Sequence, residues 1–251
     1  MADDLLNIFA SAHEADLLAL EACEVEAPAE KRRRALAALR HNPLSVTAWC
    51  LLAAQADTGS DAQMDLFHRA VTAAMTLAGA GINGEGPSPD DPAARPLAKA
   101  LAGLAGAQRA SGNLDHAVDT YFEVLRFDPA DGFRIRYDLA QCLLITGRIK
   151  RLHKLLRRFE TDRSAVWCWT RALTAFRLED EAANDLLDHA IDSNPYIGPY
   201  LLNRLNWEGE VPLSCQPAEE NEAAWYSSRF ARHWDERPEA KLWLADRTGL
   251  N

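Results

Sequence analysis

The chain has 251 residues, of which 48% are apolar and 25% charged, so it has ample surface for a core and disorder is excluded as its global state. Its net charge of −10 argues against a protein whose whole surface serves nucleic acid, because phosphate contacts need Lys and Arg. Five scattered cysteines, never in a C-x-x-C pair, fit neither a disulfide framework nor a zinc site, and reduced thiols are expected. Ala and Leu dominate the apolar set, and both lose little side-chain freedom in a helix. The composition points to an all-α fold.

In chain order, a helix from about Ala29 ends at His41-Asn42-Pro43. Trp49, Leu52 and Ala53 then open a hairpin whose second helix carries Phe67 and Ala70. Gly79 to Pro96 is rich in Gly and Pro and reads as a loop insertion. Within it, Gly81-Ile82-Asn83-Gly84-Glu85-Gly86 imitates a phosphate loop, but no strand precedes it and no Lys-Ser/Thr follows, so no nucleotide is expected there.

The stretch Leu101 to Pro129 matches the 34-residue tetratricopeptide pattern. Ala105 and Ala117 allow close helix approach, Gly112 supplies the turn, Tyr121 fills the space between hairpins and Pro129 ends the second helix. A second unit starts near Phe133 with Leu139, Ala140 and Gly147, and is degenerate at Leu152. A third starts near Ser164 with Trp167, Ala183, Ala190 and the terminator Pro195. A short apolar segment follows at Tyr200-Leu201-Leu202, then irregular chain from Asn206 to Pro217. A last helix from about Glu219 to Asp235 sets Ala223, Tyr226 and Phe230 on one face, and a terminal helix runs from Pro238 to Ala245.

The fold expected is a right-handed α-α superhelix, a tetratricopeptide-like solenoid of helical hairpins. It would form one continuous domain: N-terminal helices at 1–78, the loop at 79–96, core repeats at 97–203 and capping helices at 204–251. The chain resembles the suppressor of tumorigenicity 7 family in the runs Ala48-Trp49-Cys50-Leu51-Leu52-Ala53-Ala54, Asn194-Pro195-Tyr196-Ile197-Gly198-Pro199-Tyr200-Leu201-Leu202 and Glu222-Ala223-Ala224-Trp225-Tyr226, continuing through His233-Trp234 to Trp243-Leu244. That resemblance implies an interaction role without a known reaction. Family members are membrane-associated, whereas the most apolar stretch here, Leu97 to Ala110, falls short of the ~20 residues of a spanning helix. With no secretory pattern at Met1-Ala2-Asp3-Asp4, a cytoplasmic location is expected.

No catalytic or metal-binding constellation emerges, and the seven histidines fall on separate elements, so no enzyme activity, metal or cofactor is expected. Binding of a protein partner is the function expected of a solenoid groove, lined by the first helix of each hairpin. Exposed positions assigned to that groove include Lys99, Cys168 and Phe176, with Arg109, Arg134, Tyr137 and Gln141 as the partner-binding set, since Arg and Tyr are favoured anchors.

A second possibility lies in Gly132 to Arg177, where 11 Lys/Arg stand against 3 Asp/Glu, a local charge of +8. Lys150, Lys154, Arg157 and Arg158 share one broad helical face opposite Leu152, Leu155 and Leu156. That face is either a solvated exterior or an electrostatic site. An acidic protein suits it better than nucleic acid, because no aromatic residue is interleaved to stack bases.

Overall fold

The computed structural model describes residues 2–79, 86–211 and 217–250, and side chains from residue 10 onward. Among these residues the chain forms thirteen helices and no strand. None of the helices is long and apolar enough to cross a membrane. Most of Gly81–Gly86, together with Pro212 and Cys215, lies outside the described residues. The chain divides into two compact units, 1–139 and 140–251.

The first unit contains α1 (Ala2–Cys23), α2 (Pro28–His41), α3 (Val46–Ala53), α4 (Asp61–Leu77), α5 (Ala94–Ala110) and α6 (Leu114–Phe127). Its core is built largely of alanine. Ala12, Ala15, Ala19 and Ala22 recur at helical spacing along α1 and are fully or almost fully buried. Ala19 belongs to a cluster with Ala35, Ala38, Ala48 and Leu52, and α1 packs on both α2 and α3. Ser45 caps α3 by accepting from the Ala48 amide, while its hydroxyl donates to Asp16 of α1 at 2.6 Å.

Helix α4 starts with a Ser-x-x-Gln cap: Ser60 accepts from the Gln63 amide, and the Gln63 side chain accepts from the Gly59 amide and donates to the Ala53 carbonyl. Two glycines in this unit sit where a side chain would meet close neighbours. Gly59 has φ +75° and lies so near the end of α5 that a Cβ would sit 2.9 Å from backbone atoms of Ala110 and Ser111. Gly103 faces the Phe67 ring, where a Cβ would come within 2.1 Å. Ala105, Ala117 and Tyr121 are buried, and α5 packs on α6.

Helix α7 (Arg136–Ile145) contains the division between the units. The second unit continues with α8 (Ile149–Arg158), α9 (Ala165–Arg177), α10 (Ala183–Ser193), α11 (Ile197–Leu201), α12 (Glu220–Asp235) and α13 (Pro238–Thr248). Here the core is aromatic. Trp167, Trp169, Tyr226 and Trp234 are wholly buried, and Trp169 meets Trp234 edge-on at 5.9 Å between ring centres. Tyr226 stacks on Phe230 at 4.8 Å, and its hydroxyl accepts from the Trp234 indole.

The polar seams of this unit are made across long sequence separations. Buried Asn194 donates to the Glu219 carbonyl and the Glu222 carboxylate, fixing the start of α12. The Trp243 indole donates to Asn184, and Arg247 makes a two-pronged bond to Asp188, so α13 is tied to α10.

Candidate functional site

Two of the expected binding residues, Arg134 and Tyr137, meet at the turn that leads into α7. It runs from Asp128 to Ile135 and contains two non-glycine residues in the left-handed region, Asp131 and Arg134, each with φ 56°. Asp accepts this conformation through local hydrogen bonds; for an arginine it carries a steric cost.

Asp131 holds the turn together from inside. Its side chain is fully buried and accepts from the Ile135 amide at 2.8 Å, the Arg136 amide at 3.2 Å and the Arg136 guanidinium at 2.9 Å. The first two bonds satisfy amides at the start of α7. Burial pushes the Asp131 carboxyl above the usual carboxylate range, and the bonds from Arg136 and Ile135 oppose that rise. Asp131 and Arg136 escaped the sequence reading. Their signal was the Asp131-Gly132 pair, a turn signal ahead of the helix that carries Leu139 and Ala140.

Arg136 carries this order to the surface. Its guanidinium lies over the Tyr137 ring at 4.6 Å and donates to the Tyr137 hydroxyl at 3.0 Å. Arg134, which is exposed, covers the same ring at 5.5 Å. Arg109 reaches from the end of α5 to Asp138, 3.6 Å away. Arg109, Arg134 and Tyr137 therefore occupy the same end of the first unit. Gln141 lies in the second unit, where its side-chain amide donates to the Arg229 carbonyl at 3.3 Å.

On α8, Lys150, Lys154, Arg157 and Arg158 are all exposed, and Leu152, Leu155 and Leu156 are buried. Arg158 lies over its neighbour Phe159 at 5.4 Å, and Phe159 meets Trp167 edge-on. Lys99 is also exposed. Two positions expected on an open face are not there: Cys168 is buried, and Phe176 is partly covered by Trp243, stacked at 4.8 Å. Phe176 is covered by a ring of α13, whereas Cys168 lies against Ser193 at the end of α10.

Among the described residues no group of three or more His, Cys, Asp and Glu is placed to hold a metal ion. Burial raises the Cys50 thiol to about 11 and also pushes up Cys168, which disfavours the thiolate at both. No protein-family model and no curated protein matches the chain.

Proposed function

We propose that this chain is a protein-interaction scaffold or adaptor, a tetratricopeptide-like right-handed stack of helical hairpins akin to the suppressor of tumorigenicity 7 family. It binds a segment of another protein and catalyses no reaction. The packing order in the first unit supports the repeat reading: α1 packs on α3 and α3 on α5, while α2 and α4 each pack against the helices that flank them in sequence. Successive hairpins in contact through their first helices would give that order.

One observation carries the binding reading. An exposed arginine is held in a costly backbone conformation over a tyrosine whose other guanidinium neighbour is fixed by a buried carboxylate. The turn around buried Asp131 holds this conformation, and a pre-ordered Arg–Tyr surface suits recognition of a partner with little ordering cost. Comparing recovery of proteins from native lysate by wild type and by the Arg134→Ala/Tyr137→Ala variant tests it. At least one partner should be lost with the variant; identical recovery would sink the assignment.

The exposure of all four α8 cations favours a second reading, electrostatic binding of an acidic protein or of nucleic acid. A salt-dependent gel shift separates the two, since nucleic acid should be retained at low salt and released steeply as salt rises. Absence of any shift at low salt leaves the acidic protein.

A further inference from the structure

Helices α8, α9 and α10 line a half-open pocket of about 230 Å³ within the second unit. Its walls are apolar at Leu156, Ala175 and Leu186, its cationic groups are Arg157 and Arg171, and His153 lines it as well. Glu160 and Asp180, both exposed, complete the charged lining. We propose that this pocket binds a single glutamate side chain of a partner segment whose flanking residues are neutral or basic. The inference rests on the acidic-partner form of the second reading and narrows it from a charged face to one site.

Arg171 is the central group. It is partly buried on α9, and one guanidinium nitrogen donates to the Leu156 carbonyl at 3.3 Å and the Phe159 carbonyl at 3.0 Å, at the end of α8. These bonds fix the guanidinium plane, so its remaining N–H groups are oriented before any ligand arrives. Burial weakens its hold on the proton, the mark of a cation that has lost water and would gain by meeting a carboxylate. Arg157, exposed on the last turn of α8, brings a second guanidinium to the same pocket.

Size and rim charge choose the occupant. The volume falls below the ~300–1,000 Å³ of ordinary small-molecule sites, which suits one side chain better than a nucleotide. Leu156, Ala175 and Leu186 suit the two methylenes of glutamate, and the guanidinium groups suit its carboxylate. Glu160 and Asp180 balance the two guanidinium groups, so the pocket takes a carboxylate only where cationic neighbours of the bound residue meet them, and a continuous run of phosphates or carboxylates is opposed.

Amide-resolved NMR titration of the full chain at neutral pH tests the proposal, with acetyl-Lys-Glu-Lys-amide as probe. Saturable shifts are expected at Leu156, Arg157, Arg171 and Thr174. Acetyl-Lys-Gln-Lys-amide, which lacks the charge, should bind about tenfold more weakly, and so should the first probe to Arg157→Gln, an exposed position whose change leaves the helix intact. Equal shifts with both probes would reduce the pocket to an apolar hollow and overturn the proposal. So would shifts produced only by a single-stranded oligonucleotide. Deca-glutamate separates the two levels: shifts confined to Lys150 and Lys154, with none from the single-glutamate probe, would keep the acidic-partner reading and remove the pocket.

Discussion

The two units reach burial by opposite means. In the first, small residues let helices approach until a missing side chain becomes a requirement, as at Gly103 against Phe67. In the second, the large rings of Trp167, Trp169, Tyr226 and Trp234 fill the interior. The contrast implies opposite sensitivities. An alanine-packed core suffers from added volume and an aromatic core from lost volume.

The largest effect should come from the aromatic side. Trp169→Ala removes a ring in contact with Tyr226 and Trp234 and should cost about 3–5 kcal/mol in urea unfolding. Asp131→Ala should come next, at about 2–3 kcal/mol, because it strips two helix-start amides and the partly buried Arg136 of their acceptor. Gly103→Val should cost about 1–3 kcal/mol by overpacking, and Phe67→Leu in the same chain should recover part of it. Were Gly103→Val neutral, the close-packed description of the first unit would fail.

Smaller effects concern charge and strain. Arg134→Gly relieves the left-handed arginine and should stabilise the chain by about 1 kcal/mol. His233 is wholly buried, its Nδ1 lies 3.5 Å from Glu236 and its Nε2 has no hydrogen-bond partner among the described residues. Burial lowers its proton affinity, Arg232 and Arg177 lower it further, and Glu236 opposes them. The folded value therefore lies below the ordinary 6.5, so the stability this group lends is complete above that pH and is lost as pH falls toward the folded value. The urea midpoint of wild type should drop between pH 7 and 5 by more than that of His233→Phe.

Much of the helical order was legible in the sequence because it is written locally. Asn42-Pro43, Gly112, Ser164 and Pro195 mark helix ends, and Ala105, Ala117 and Tyr121 mark packing faces. Helix α1 was not singled out because its buried stripe is alanine, which gives a weak hydrophobic contrast with the acidic residues around it. Phe176 was misplaced because the ring that covers it comes from α13, more than 50 residues later, and Cys168 because it packs beside Ser193 of the paired helix α10. The pocket beside Arg171 was hidden for the same reason: three helices contribute to it, and only the Arg157 face was visible as a charge run. Asp131 was hidden because its importance comes from burial.

The most direct test sets the two candidate surfaces against each other. Arg134→Gly/Tyr137→Ala, Lys150→Ala/Lys154→Ala and wild type are used side by side to recover proteins from native lysate, each first shown to be folded by its urea midpoint. The first variant should lose a partner that wild type and the second retain, even though relief at Arg134 favours its fold. Retention of every partner by the first variant, with loss by the second, would contradict a binding role for the α7 turn and move it to α8.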